Sequence, residues 1–187
     1  MDEEIKKVIE VLKSGGVILY PTDTIWGIGC DATNAKAVAR VYDIKRRQDS
    51  KAMLVLVDDC NKLERYSNGV TETAYQLIEF SEKPLTIIFD DAKNLAPNLI
   101  GDDGSIGIRV TKERFSKELC RKFGRPIVST SANISGQKSP SVFSQISQEI
   151  KDSVDYIVNY RQNDSSSHTP SSIIKLGQDG VFKIIRN

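Results

Sequence analysis

Val17-Ile-Leu-Tyr-Pro-Thr-Asp-Thr-Ile-Trp-Gly-Ile-Gly29 is the stretch on which the reading of this chain turns. Its first four residues form a short apolar run closed by Pro21, the pattern of a buried strand. Thr22, Asp23 and Thr24 follow and offer hydroxyl and carboxylate groups at a strand's end, where α/β sheets place ligands. Trp26 then precedes Gly27 and Gly29, which allow a second backbone or a ligand to approach closely. Pro-Thr-Asp-Thr is also good turn chemistry, so local physics alone leaves an ordinary turn as the other reading.

On the N-terminal side, Ile5, Val8, Ile9 and Leu12 repeat at helical spacing, with Asp2 placed to cap the helix and Gly15-Gly16 to end it. On the C-terminal side Asn34 caps a second helix, in which Ala35, Val38, Ala39 and Tyr42 repeat as far as Lys45-Arg46-Arg47. Residues 52–57 read as a strand buried on both faces, which predicts parallel or mixed pairing. Further strands are expected over 85–90, 105–110, 127–130, 156–159, 172–176 and 181–185, and helices over 71–81, 144–152 and from Phe115 to the stop at Gly124. This alternation predicts an α/β fold with a mixed sheet, as a single domain over residues 1–187.

Composition narrows the function. Twenty-six Lys and Arg balance twenty-five Asp and Glu, and 39% of the residues are hydrophobic. That excludes a polybasic tail protein and an acidic disordered one, but not a local basic cleft. The apolar run at 52–57 is far shorter than the roughly 18 residues of a membrane span. The opening Met-Asp-Glu-Glu-Ile-Lys-Lys lacks the basic start and apolar block of a secretory signal, so a cytoplasmic location without membrane attachment is expected. Cys30, Cys60 and Cys120 form no CxxC, so no metal ribbon or redox pair is expected. The one histidine, His168, lies in the serine-rich run 163–172; we expect a mobile surface loop there and no acid–base role for His168.

Two further segments look like chemistry. Lys45-Arg46-Arg47, with Lys51 nearby, reads either as cations complementing a helix C-terminus or as an anion clamp. Pro126-Ile-Val-Ser-Thr-Ser-Ala-Asn-Ile-Ser-Gly136 is a buried strand that ends in hydroxyls and an amide. Ser129, Ser131 and Asn133 alternate, so an extended backbone points them to one face, a row of uncharged groups suited to phosphate, ribose or carboxylate. The sequence contains neither GxxxxGK[ST] nor GxGxxG, so a nucleotide would have to be held by side chains and strand-end loops.

Together these segments resemble the YrdC family, the threonylcarbamoyl-AMP synthases. Pro21 to Gly29 match its opening motif, with Trp26 at the tyrosine position; Lys45 and Arg47 match its Lys-x-Arg. Pro84-Leu85-Thr86, Gly107-Ile-Arg109, Ser131 to Gly136, Pro170-Ser171-Ser172-Ile173 and Ile184 to Arg186 follow in order. The resemblance implies a curved mixed sheet flanked by helices around a basic cleft. It also implies a reaction: L-threonine and bicarbonate or CO₂ form a carbamate, which attacks the α-phosphate of ATP and expels pyrophosphate. The threonylcarbamoyl-adenylate would pass to a downstream enzyme that modifies tRNA.

By the same resemblance Lys45 and Arg47 neutralise the triphosphate as the catalytic pair. Thr86, Ser131, Asn133, Ser139 and Arg186 complete the ATP site. Thr22, Thr24 and Ser129 bind threonine, and Arg109 pairs with its α-carboxylate. Mg²⁺ arrives with ATP and needs no dedicated protein site. Attack of one anion on another asks for charge neutralisation and positioning more than for a protein nucleophile. The chain departs from the pattern at Gln48 and Lys51-Ala-Met53, and at Leu56, where some members place a histidine that contacts threonine. The alternatives are an RNA-binding or ribosome-maturation module, a divergent paralogue without this activity, and a carbamoyl-adenylate-forming domain of the hydrogenase-maturation type.

Overall fold

Ile18–Tyr20 forms strand β1 and Gly27–Gly29 forms β2, so the quoted stretch folds back as an antiparallel pair with Ile18 opposite Gly29 and Tyr20 opposite Gly27. β2 was not expected, because Gly-Ile-Gly has little strand propensity; pairing on both sides makes it a strand. Gly29 is required there: a Cβ would stand 2.5 Å from the Val128 carbonyl oxygen and 2.6 Å from the Tyr20 ring. The Tyr20 hydroxyl uses the same closeness to donate to Val128 O at 3.0 Å.

The structure is a computed structural model that describes residues 1–46, 53–166, 168–177 and 180–186. Its helices are α1 (Asp2–Lys13), α2 (Ala35–Lys45), α3 (Glu72–Phe80), α4 (Arg114–Phe123) and α5 (Gln148–Ser153). The remaining strands are β3 (Leu54–Val57), β4 (Leu85–Phe89), β5 (Ile106–Val110), β6 (Ile127–Ser131), β7 (Tyr156–Ile157), β8 (Ser172–Leu176) and β9 (Phe182–Arg186). They form one sheet in the order β7-β1-β2-β6-β3-β5-β4-β8-β9. β1/β7, β3/β5 and β4/β8 are parallel and the other neighbours antiparallel, so the fold is α/β with a mixed sheet.

Asn34 caps α2 by accepting from the amides of Lys36 and Ala37, and Gly124 ends α4 in the left-handed conformation. Asp2 does not cap α1; it lies in the first turn, where its charge suits the helix dipole, and pairs with Lys122 at 2.6 Å. The helix expected over 144–152 breaks into a 3₁₀ turn at Phe143–Gln145 and α5, capped by Ser147. Among the described residues no helix is long and apolar enough to cross a membrane.

Two cores sandwich the sheet. α2 and α3 belong to one, with Val55, Val57, Ile87 and Ile108; α1 and α4 cover the other face over Ile18, Tyr20, Leu56 and Ile127. The second pair of helices covers only part of its face. Along β6 the same face runs Ile127, Ser129, Ser131: the isoleucine is sealed under the helices and the serines lie beyond them. Along β3, Leu56 is sealed in the helix core and Leu54 lines the open part.

Candidate functional site

The uncovered part of that face is a cleft of about 240 Å³ at the strand ends, lined by Thr24, Arg109, Ser129, Ser131, Ser139 and Arg186. All six were expected at the site from the sequence. The cleft has two walls of different construction.

The first wall is charged. Arg109, on β5, is 3% exposed and does not point to solvent. Its Nη2 lies 3.0 Å from Asp23 Oδ1 and donates to Thr24 Oγ1 at 3.3 Å. The Thr22 hydroxyl donates to Ile25 O at 2.8 Å and accepts from the Thr24 amide at 3.1 Å, so the turn is fastened from inside. With its proton committed to Ile25, Thr22 Oγ1 takes the Thr24 hydroxyl as donor at 3.0 Å. Thr24 therefore keeps a lone pair for Arg109. Burial pushes the Asp23 carboxyl up, and the Arg109 charge opposes that. Arg186, on β9, is pulled below its ordinary value by burial and then by Arg109. Its Nε and Nη2 donate to Ser171 O at 3.0 and 2.9 Å. Two guanidinium groups thus face one space, the arrangement of an anion site.

The second wall is neutral in front and cationic behind. Ser131 and Ser139 line the cleft, and Ser131 Oγ accepts from Lys45 Nζ at 3.3 Å. Lys45 stands behind them, 2% exposed, with Nζ donating to the carbonyl oxygens of Ser131 at 2.6 Å and Asn133 at 2.8 Å. Its own carbonyl accepts from the Ser135 amide at 3.0 Å, so the end of α2 holds the loop after β6 at two points. Lys45 thus does more than complement the C-terminus of its own helix. The helix terminates at Lys45, but the stem turns inward and the ammonium caps carbonyls of the facing loop. Arg46 takes the left-handed C-cap position and pairs with Glu149. Arg47, expected as the second catalytic cation, and the departures at Gln48 and Lys51 lie outside the described residues.

Three other expected ligand contacts sit behind the lining. Asn133 Nδ2 donates to Ile134 O and Gln137 O, at 3.0 and 2.7 Å, so its amide folds the loop. The extended backbone ends at Ser131, and Asn133 does not continue the row of side chains. Thr86 is buried against Ser171, hydroxyl to hydroxyl at 2.8 Å, and Ser171 faces the cleft in its place. Thr22 is buried in the turn. Leu56 is fully buried under α4, where the Cys120 thiol donates to its carbonyl at 3.6 Å, so this position is closed to a ligand.

Sequence reasoning noticed Asp23 as a polar group and left it out of the site. Only the folded sheet shows that it meets Arg109. Trp26, Leu54 and Ser171 also line the cleft. His168 is not on a free loop: its Nε2 lies 3.0 Å from Arg161 Nη2 and 3.5 Å from Asp164 Oδ2. Arg161, at positive φ, also donates to Thr22 O at 3.2 Å and so straps residues 161–164 to the charged wall. Among the described residues no group of three or more His, Cys, Asp or Glu side chains is placed to hold a metal ion.

The Sua5/YciO/YrdC family, described as "Telomere recombination", matches residues 10–187. A Methanocaldococcus jannaschii protein named, provisionally, as a threonylcarbamoyl-AMP synthase is 38% identical over 188 residues, covering 98% of this chain and 87% of that protein. The threonylcarbamoyl-AMP synthase of Pseudoalteromonas translucida is 34% identical and covers 96% of each chain. Among solved structures, Escherichia coli YciO superposes with a TM-score of 0.86 at 25% identity over 100% of this chain and 90% of its own. Pyrococcus abyssi Sua5 complexed with L-threonine superposes at 0.81 and 23% identity; this chain spans half of its length, and the likeness is one of fold.

Proposed function

We propose that this chain, which belongs to the Sua5/YciO/YrdC family, makes threonylcarbamoyl-adenylate from L-threonine, bicarbonate or CO₂, and ATP. It is an enzyme of the nucleotidyltransferase class. The observation that carries the substrate reading is the cleft itself: the buried Arg109 and the Arg186 of the exposed edge strand β9 line one space with Ser129, Ser131 and Ser139 at the strand ends.

In this reading Arg109 takes the threonine α-carboxylate, with Thr24 and Ser129 beside it. The neutral amine adds to the carbon of CO₂ and loses a proton, giving a carbamate. A carbamate oxygen attacks the α-phosphorus of ATP; the bond from that phosphorus to the bridging oxygen breaks and pyrophosphate leaves. Ser131 and Ser139 hold phosphate or ribose oxygens, and Arg186 and Arg47 offset the developing charge. Lys45 acts from behind, holding the carbonyls of the serine loop and lending positive charge beneath it; Asn133 and Thr86 shape the lining in the same indirect way. Mg²⁺ enters as part of the MgATP substrate. The adenylate then serves a downstream enzyme that transfers the threonylcarbamoyl group to tRNA, and we place the reaction in the cytoplasm, carried out by a single domain.

Incubation with MgATP, bicarbonate and labelled L-threonine tests this. Labelled adenylate should form, and pyrophosphate release should need threonine and bicarbonate together. Equal release without threonine would overturn the reading in favour of a plain ATPase or a carbamoyl phosphate-dependent enzyme.

A further inference from the structure

We propose that Asp23 is the positioning residue of the threonine site: it fixes the Arg109 guanidinium so that one defined edge meets the α-carboxylate. The inference rests on the reading of the cleft given above and adds to it a residue that does not touch substrate.

The pair is buried on both sides, with the Asp23 side chain 8% and the Arg109 side chain 3% exposed. Asp23 Oδ1 and Thr24 Oγ1 both approach the same nitrogen, Nη2. Arg109 Nε and Asp23 Oδ1 are both buried, and among the described residues neither has a hydrogen-bond partner, so Asp23 holds Arg109 by charge, as an ion pair. Nη2 of the guanidinium is therefore held between two protein oxygens while the side chain as a whole lines the cleft.

Charge alone does not explain the arrangement. Asp23 weakens the field an anion feels, because it compensates one of the two guanidinium groups lining the cleft. What it supplies is direction. A guanidinium binds carboxylate through donors in a fixed plane, so a rotation of the plane loses the pairing even when the charge remains. Asp23 itself is carried by a turn closed at Thr22 and held from outside by Arg161, whose Nη1 donates to Thr22 O at 3.2 Å. The aspartate is thus mounted rigidly enough to hold a partner.

The test uses the one tryptophan of the chain, Trp26, which lines the cleft and reports ligand entry by its emission. Asp23→Asn keeps the size and removes the charge; Asp23→Glu keeps the charge and moves it by one methylene. Both should raise the L-threonine Kd and KM about tenfold, while kcat at saturating threonine and the MgATP Kd stay within about twofold, the signature of a misaligned carboxylate clamp. In an Arg109→Lys background Asp23→Asn should add little, because it acts only through the fork that lysine lacks. Wild-type threonine affinity in either folded Asp23 variant would overturn the proposal, and so would equal effects in the two backgrounds. Loss of folding in both variants, read by thermal unfolding, makes the pair a structural one and overturns it too. A wild-type chain with no threonine response overturns the reading of the cleft and this inference with it; a wild-type response with unchanged Asp23 variants overturns the inference alone.

Discussion

The two walls of the cleft solve the problem of a buried cation in opposite ways. On the first wall Arg109 meets a carboxylate, Asp23, and is tied at one nitrogen. On the second Lys45 meets carbonyl oxygens and stands behind the surface it supports. A guanidinium has five donors and can serve protein and ligand at once; an ammonium with two carbonyls already on it has little left to offer a ligand. The difference teaches that a cation in a site motif can be spent on the protein's own carbonyl groups.

The charged wall gives the largest expected effect. Arg109→Ala leaves the Asp23 carboxylate buried without its partner, at a cost of about 3–5 kcal/mol in urea unfolding. Replacing both members, Asp23→Asn with Arg109→Met, should recover most of that stability and none of the threonine response. If Arg109→Ala costs under about 1 kcal/mol, water reaches the pair and the wall is not the closed unit described.

The neutral wall should answer more moderately. Lys45→Met keeps the stem and removes the donors to Ser131 O and Asn133 O, a loss of about 2–3 kcal/mol with a fall in rate as the serine loop loosens. A variant that loses rate and keeps full stability would return Lys45 to direct phosphate contact. Thr86→Val tests the same distinction between lining and support at smaller scale. It removes one hydrogen bond to Ser171, about 1 kcal/mol, and the MgATP KM should stay within about twofold. A tenfold rise would restore Thr86 as a nucleotide ligand.

The sequence made the hydroxyl row legible because period two is a local rule: Ile127, Ser129 and Ser131 share a face in any strand, and the change from apolar to polar along it marks where the helices stop covering the sheet. It made the ends of α2 and α4 legible because Asn34 and Gly124 act within one turn. It could not show where long side chains end. Lys45 and Asn133 are 88 residues apart, and whether the ammonium turns inward depends on the loop that folds over it. Asp23 and Arg109, 86 positions apart in sequence, meet only once the sheet has folded. β2 was hidden for a related reason: Gly29 sits where the Val128 carbonyl and the Tyr20 ring come too close for a side chain, which is a tertiary fact.

The smallest effect separates the charged wall from the strap that holds it. Arg161 pairs with Asp164 at 2.8 Å, approaches His168, and reaches Thr22 O in the turn. The Asp164 carboxyl is held well below its ordinary value, first by Arg161 and then by the Ser166 amide and hydroxyl. A carboxyl lowered in the fold contributes stability that is complete above its unfolded value of about 4 and is lost as pH falls through the folded one. Arg161→Gln removes the largest cause of that lowering. It should therefore melt a few degrees below wild type at neutral pH, and the gap should narrow as the buffer is taken from pH 5 to about pH 2. His168→Ala leaves the Arg161 contacts to Asp164 and Thr22 in place, so it should track wild type throughout and keep most activity. A constant gap for Arg161→Gln at every pH would mean that the strap holds through Thr22 alone and that Asp164 adds nothing. A His168→Ala variant that melts as low as Arg161→Gln would move the anchor of the strap from the guanidinium to the imidazole.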